Sequence, residues 1–174
     1  WQQRLRREEA LGLRHGTEND YHSRRAWLTA KAVTFLLKAT GLYARGYRNA
    51  CTPRLTDVVF SYPGLPEDLD GIRILHLSDL HFRSKDMHFT RAICDFLRNI
   101  ETDVCVLTGD YMYGYYGPQE FVVDHMREML KAIHAPLGVF ATLGNHDLSD
   151  IVPGLRQLGI TMLINEGVAL RAGE

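Results

Sequence analysis

Three short polar motifs stand out in this chain of 174 residues because each directly follows an apolar run of strand length. They are Asp79-Leu-His81, Gly109-Asp110, and residues 144–147, which read GNHD. Carboxylate, amide and imidazole groups are the side chains that bind divalent transition metals in proteins. The carboxyl ends of strands in an open α/β sheet lie along one edge, where ligands bind. The three motifs therefore predict one metal-binding site at that edge.

The spacing inside the motifs supports this interpretation. Asp79 and His81 are two residues apart, so both side chains would point to the same side of an extended backbone. Asn145 offers a neutral oxygen ligand, and Asp147 is placed to orient His146 and stabilise its charge. Taken singly, a D-x-H pair or a Gly-Asp turn is as easily a surface feature. The order of all three, each after a strand, favours the metal site.

The three motifs resemble the signature of the calcineurin-like metallophosphoesterases, which runs D-x-H, G-D, G-N-H-D/E and then two further histidine motifs. The resemblance covers residues 55–171. It implies two divalent metal ions (manganese, iron or zinc) that lower the pKa of a bridging water. It assigns the metal ligands as Asp79 and His81 on the first ion, Asp110 between both ions, and Asn145 on the second. It assigns the catalytic contact with the phosphate and the leaving oxygen to His146, oriented by Asp147.

The histidines depart from the family pattern. His146 is the last of eight, so residues 148–174 cannot supply the two later histidine motifs. The sequence therefore predicts an incomplete phosphoesterase domain whose C-terminal half is missing, with weak metal binding and little turnover. The remaining histidines match no family motif. We expect His76 in the first strand, and His88, His125 and His134 on exposed helix surfaces.

Alternating apolar strands and amphipathic helices must position these motifs. Strands are predicted at residues 72–77, 103–107, 137–143, 160–163 and 168–170, and residues 57–60 are also strand-like. Helices are predicted at residues 88–100, 119–133 and 150–158. This order indicates an α/β fold, a metallophosphoesterase-type βαβ sandwich with a largely parallel sheet buried on both faces. We expect Cys94 and Cys105 to be small core residues.

The N-terminal part differs in charge from the rest of the chain. Residues 1–50 carry ten Lys and Arg against four Asp and Glu, whereas residues 51–174 carry ten against seventeen. This division predicts a basic N-terminal segment at residues 1–50 and the phosphoesterase domain at residues 51–174. We expect residues 1–23 to be a flexible or weakly helical lead-in. Residues 24–45 are predicted to form one amphipathic basic helix, which either packs on its own domain or lies on a membrane surface.

The substrate class is suggested by the same resemblance. Residues 65–82 and 135–147 resemble a branch that includes YkuE-type membrane-associated phosphoesterases and chlamydial-type UDP-2,3-diacylglucosamine hydrolases of lipid A synthesis. This implies a lipid-linked pyrophosphate or other phosphoester substrate, cleaved at the cytoplasmic membrane surface. Three unpatterned cysteines agree with a reducing compartment, and the protein is expected to be cytoplasmic, peripheral on the inner face of the membrane.

Two other functions remain open from the sequence. A half-domain with a basic helix could be a catalytically inactive membrane-binding or partner-binding module. A nucleic-acid phosphodiesterase would place basic and aromatic residues beside the site, and the chain has Arg83, Lys85 and a Tyr-rich stretch at residues 111–117. The tyrosines would line the rim of the cleft and could stack on uracil equally well. We therefore expect no specific nucleic-acid partner.

Overall fold

The computed structural model describes residues 1–12, 24–84, 86–114 and 119–170. Four parallel strands form one sheet in the order β1-β2-β3-β4, so each strand lies beside its predecessor in the sequence. The strands are β1 (Ile74–Leu77), β2 (Val104–Leu107), β3 (Val139–Ala141) and β4 (Thr161–Met162). The predicted α/β fold with a parallel sheet is therefore confirmed.

A helix connects each pair of neighbouring strands. The connections are α4 (Met87–Leu97), α5 (Glu120–Leu130) and α6 (Ile151–Gln157). Asp86 caps the first turn of α4, because its carboxylate accepts a hydrogen bond from the Phe89 N–H at 3.2 Å. A short 3₁₀ helix, Glu67–Leu69, precedes β1. This is the βαβ arrangement that parallel strands require.

The hydrophobic core lies between the sheet and these three helices. Leu75, Cys105 and Ala141 point from neighbouring strands into the same cluster as the buried faces of α4, α5 and α6. Cys94 and Cys105 are buried, as predicted. On the opposite face of β1, Ile74 and His76 are exposed. The expectation of a sheet buried on both faces is therefore wrong at this edge strand, because the described helices α4, α5 and α6 share one face.

The described residues of the N-terminal segment form three helices rather than one. They are α1 (Gln2–Ala10), α2 (Arg24–Ala39) and α3 (Leu42–Ala50). The predicted continuous helix at residues 24–45 ends at Gly41, where the backbone has a φ of 73° that only glycine adopts readily. Side chains at residues 28–39 of α2 are exposed except Thr34, which is half-buried. None of the helices in the described part of the chain combines the length and apolar character needed to cross a bilayer.

Two predicted strands are irregular in the structure. Residues 57–60 and residues 168–170 adopt no regular secondary structure, and Val59 and Phe60 are exposed. The lead-in predicted at residues 1–23 is helical over Gln2–Ala10, while residues 13–23 lie outside the described part of the chain. Lys85, Tyr115 and Tyr116, which were considered as nucleic-acid contacts, also lie outside it.

Candidate metal centre

The three motifs lie on loops that follow β1, β2 and β3 at the carboxyl edge of the sheet. We call residues 78–82, 109–114 and 144–149 the motif loops. Asp79, His81 and Asp110 have φ angles of 54°, 44° and 56°. These lie in the left-handed region, which residues other than glycine rarely occupy. Such strained backbone persists only where the surrounding structure enforces it, and it concentrates at functional sites.

Hydrogen bonds between the motif loops enforce this backbone. The Asp79 N–H donates to the Gly109 carbonyl at 3.1 Å, and the His81 N–H donates to the Asp110 carbonyl at 3.0 Å. The His146 N–H donates to Asp110 Oδ1 at 2.9 Å. The second and third loops also touch at glycine, since a Cβ on Gly109 would lie 2.1 Å from the Gly144 nitrogen. Each loop is therefore held by its neighbour as well as by its own strand.

Three motif side chains meet in a group that could hold a metal ion. His81, Asp110 and His146 each offer one ligand atom, and these atoms lie within 4.8 Å of one another. A divalent ion with bonds of about 2.0–2.2 Å brings its ligands to within roughly 4.4 Å of one another. Only a small inward movement would therefore be needed. All three residues are half-buried.

The two imidazoles of this group are held in the same tautomer. His81 Nδ1 lies 3.1 Å from the Met112 carbonyl, and His146 Nδ1 lies 2.8 Å from the Gly114 carbonyl. A carbonyl oxygen can only accept, so each Nδ1 carries a proton and Nε2 is the ring nitrogen through which each imidazole could bind a metal ion. Metal-binding histidines are typically fixed in this way through their second nitrogen. Sequence reasoning missed both contacts, because backbone carbonyls leave no residue-type signal.

The remaining predicted ligands lie beside this group. Asp79 is exposed, with Oδ1 at 3.8 Å from His81 Nε2, and its other oxygen accepts a hydrogen bond from the Ser78 hydroxyl. Asn145 is also exposed and lies between Gly144 and His146 on the third motif loop. The structure therefore brings Asp79 next to the imidazole with which it was predicted to share a metal. It presents Asn145 on the turn adjacent to the group.

Asp147 is a buried residue of the third motif loop. Its buried carboxylate accepts hydrogen bonds from four backbone N–H groups: those of Asp110, Tyr111, Met112 and Gly144, at 2.8, 2.8, 3.3 and 2.8 Å. Burial raises the pKa of Asp147, and these backbone donors act in the opposite direction. The described contacts of this carboxylate organise the second and third motif loops, whereas the Gly114 carbonyl orients the His146 ring. The orienting role expected for Asp147 stays a prediction.

The Tyr-rich stretch divides into a buried and an exposed residue within the described part. Tyr111 is fully buried, and its hydroxyl donates to the Thr142 carbonyl at 2.8 Å, so it is not on the rim. Tyr113 is exposed and meets the edge of the His81 ring, with centroids 6.5 Å apart. The Arg83 guanidinium carbon lies 3.9 Å from the Tyr113 ring centroid, in a cation–π contact. This contact holds an exposed positive charge beside the metal-binding group.

His125 packs beneath the first motif loop, where it contacts Phe82 and Arg83. It is buried, although an exposed position was predicted, and its ring stacks on Phe82 at a centroid distance of 4.7 Å. Its Nε2–H donates to the Arg83 carbonyl at 3.0 Å, and its Nδ1 pairs with the Thr90 hydroxyl at 2.6 Å. The exposed prediction failed because α5 turns this residue towards α4 and Phe82. Desolvation by burial lowers the pKa of His125.

Comparison with known protein families agrees with this geometry. Residues 72–168 match the family described as calcineurin-like phosphoesterase, a region that contains all three motif loops. UDP-2,3-diacylglucosamine pyrophosphatase LpxG of Chlamydia trachomatis is 32% identical over 100 residues, which are 57% of this chain and 30% of that protein. The predicted resemblance to this family and to the chlamydial branch is therefore confirmed.

Two further relatives come from distant organisms. A transmembrane protein with metallophosphoesterase domain from Danio rerio is 30% identical over 131 residues, covering 71% of this chain and 26% of that protein. An uncharacterized metallophosphoesterase of Aquifex aeolicus is 29% identical over 107 residues, covering 57% of this chain and 38% of that protein. The chain thus matches between 26% and 38% of the length of these relatives.

Proposed function

The chain belongs to the calcineurin-like phosphoesterase family, and from this premise we propose that the protein is a dinuclear metal-dependent hydrolase acting on a lipid-linked pyrophosphate. The observation that carries the metal site is the group of His81, Asp110 and His146, whose ligand atoms lie within 4.8 Å of one another. Members of this family are hydrolases that use divalent metal ions. The number of ions, the substrate and the membrane contact are proposals for this protein.

We assign one ion to Asp79, His81 and Asp110. Carboxylate oxygen and imidazole nitrogen suit manganese, iron or zinc equally well. The 3.8 Å distance between Asp79 Oδ1 and His81 Nε2 supports a shared ion. We assign the second ion to Asp110 and Asn145, because a carboxylate has two oxygens and the Asn145 amide is presented on the adjoining turn.

When bound, such a metal pair lowers the pKa of a water molecule and neutralises charge on the phosphoryl group. His146 is the residue we assign to the phosphate. Its Nδ1–H is held by the Gly114 carbonyl, so its Nε2 faces the metal-binding group. In the imidazolium form, Nε2 would donate a proton to the leaving oxygen or stabilise its negative charge. The hydrogen bond from the His146 N–H to Asp110 Oδ1 keeps the two residues in register.

Arg83 is the residue we assign to a second phosphate group. Its guanidinium is held over Tyr113, which itself contacts the His81 ring. The backbone at Arg83 is anchored as well, since its carbonyl accepts the hydrogen bond from His125. Guanidinium groups bind phosphate in a bidentate manner. We therefore propose that the pyrophosphate places one phosphate at the metals and the other at Arg83.

The lipid part of the substrate is suggested by the N-terminal helices and by the named relatives. Two relatives are UDP-2,3-diacylglucosamine pyrophosphatases from Chlamydia species. In α2, Phe35 and Leu36 are 74% and 62% exposed, and Lys31 and Lys38 are exposed on the same helix. An exposed apolar helix with lysines suits the interface of an anionic membrane. We therefore propose a peripheral position on the inner face of the cytoplasmic membrane.

The test is hydrolysis of UDP-2,3-diacylglucosamine and of bis(p-nitrophenyl) phosphate by the protein expressed from its complete gene, with and without manganese. Release of UMP that depends on manganese is the expected result, because attack at the pyrophosphate separates UMP from the lipid phosphate. Hydrolysis of the simple diester alone would keep the reaction class and reject the lipid substrate. If neither compound is cleaved and no metal binds, the proposed function is wrong.

A further inference from the structure

Helix α1 contacts the third motif loop although about 140 residues separate them in the sequence. Arg4 lies on its first turns, and Arg4 Nη2 donates to the Gly144 carbonyl at 2.8 Å and also to the Asp147 carbonyl. These two carbonyls flank Asn145 and His146, the residues assigned to the second metal and to the phosphate. One guanidinium nitrogen therefore joins both ends of the GNHD turn.

Glu8 extends this contact by one helical turn. It is a buried carboxylate, only 3% exposed, and it accepts hydrogen bonds from the Ser149 N–H at 3.0 Å and from the Ser149 hydroxyl. Arg4 Nε donates to Glu8 Oε1 at 3.0 Å, so the two side chains support one another. Burying a charged group is costly unless it is paired and hydrogen-bonded. The hydrogen bonds from Ser149 and Arg4 therefore allow Glu8 to be buried at this loop.

The third motif loop is consequently held from two sides. From inside, the Asp147 carboxylate accepts the backbone donors of the second motif loop. From the side of α1, Arg4 donates hydrogen bonds to the Gly144 and Asp147 carbonyls. Glu8 accepts a hydrogen bond from Ser149, the last residue of the loop. Asn145 and His146 lie between these two sets of hydrogen bonds. Groups that contact the neighbours of a metal ligand orient that ligand and affect metal affinity.

We propose that α1 is a positioning element of the metal centre, with Arg4 and Glu8 as its positioning residues. The metal-affinity part of this proposal rests on the proposed function. Helix α1 fixes the backbone of residues 144–149 and so sets where Asn145 and His146 stand relative to Asp110. Neither residue touches the reacting atoms. Their effect is transmitted by the carbonyl groups and the Ser149 hydrogen bonds.

The experiment combines amide hydrogen exchange with manganese titration of the same variants. In Arg4→Ala, we expect faster exchange at the His146 and Ser149 amides and a manganese dissociation constant raised about tenfold. Arg4→Lys keeps a cationic donor, so both measurements are expected to lie between those of Arg4→Ala and those of the unsubstituted parent protein. Glu8→Gln keeps an acceptor for Ser149, so it should change amide exchange and manganese affinity less than Arg4→Ala does. Amides of β2 report whether each variant is folded.

Matched controls come from the same helix. Arg6 and Glu9 are exposed neighbours with the same charges, so Arg6→Ala and Glu9→Gln should leave both measurements at the parent values. Unchanged exchange in Arg4→Ala would overturn the proposal, and so would faster exchange with an unchanged manganese affinity. If the parent binds no manganese, the proposed function fails by itself. Exchange at His146 and Ser149 then still decides whether α1 fixes the loop.

Discussion

The motif loops keep their polar groups paired within the protein, whereas helix α2 exposes apolar side chains to solvent. In the motif loops, main-chain groups and the Asp147 carboxylate are paired with one another, and strained residues such as Asp110 are kept in place. In α2, Phe35, Leu36 and Leu37 project into solvent, and the described side chains at residues 28–39 are exposed except that of Thr34. A fixed set of polar groups suits chemistry, because ligands need no reorganisation. An exposed apolar helix suits contact with a surface outside the domain.

Helix α1 shows that position in the sequence does not decide to which of these regions a segment belongs. It precedes α2 in the same basic N-terminal segment, yet its Glu8 is buried against Ser149. Hydrogen bonds of Arg4 and Glu8 tie α1 to the third motif loop. The following changes test whether the two regions are as separate in function as they are in structure.

The largest effect is expected for Asp110→Asn. The amide keeps an oxygen for the His146 N–H, so the fold should persist, but the negative charge between the two proposed metals is lost. We expect manganese-dependent hydrolysis of bis(p-nitrophenyl) phosphate to fall at least about a hundredfold, since metal-bound charge contributes several kcal/mol. Initial rates measure this, with the exposed Asp124→Asn on α5 as the control. A variant that retains its activity would refute the assignment of Asp110.

A smaller effect is expected for Arg83→Ala. Loss of a charged hydrogen bond worth about 1.5–3 kcal/mol should raise KM for a pyrophosphate substrate about tenfold or more. The simple diester has no second phosphate, so its KM should change little. Steady-state kinetics with both substrates make this comparison, and Arg98→Ala removes an exposed arginine at the end of α4 as the control. Equal losses on the two substrates would argue against a second phosphate contact.

The double variant Phe35→Ser/Leu36→Ser tests the membrane role of α2. Each apolar side chain contributes about 1.5–3 kcal/mol when fully buried, so binding to anionic phospholipid vesicles should weaken at least about tenfold. Hydrolysis of the soluble diester should be unaffected. The control is Val59→Ser/Phe60→Ser, which removes an equally exposed apolar pair outside the helices. Co-sedimentation of the protein with the vesicles measures this binding. If both double variants reduce co-sedimentation equally, the membrane contact does not belong to α2.

The smallest effect concerns acid stability and His125. Burial lowers the pKa of this residue, so the unfolded chain takes up the proton at a higher pH than the folded protein does. Stability should therefore decrease as the pH falls below the ordinary histidine pKa of about 6.5. Urea unfolding at pH 7 and pH 5 should show a smaller difference for His125→Gln than for the parent. His134→Gln, at an exposed position, should leave the difference unchanged.

Much of the fold, and the meeting of the three motifs at one edge of the sheet, could be predicted from the sequence. Apolar runs ending in Asp79-Leu-His81, Gly109-Asp110 and GNHD are local patterns, and parallel strands bring their ends to one edge whatever the detail. The burial of His125 could not be predicted in this way, because it depends on which side of α5 meets α4. The break at Gly41 has a local signal, since glycine readily adopts a positive φ.

The sequence by itself determined the chemical groups, their order and the strand ends that bring them together, because residue type and hydrophobic period are local properties. Only the tertiary structure decided the tautomers of His81 and His146, which depend on the carbonyls of Met112 and Gly114. It also decided that Asp147 binds backbone donors of the second motif loop and that Arg4 and Glu8 hold the third motif loop. These contacts join residues far apart in the chain, and the distances between them follow from packing alone.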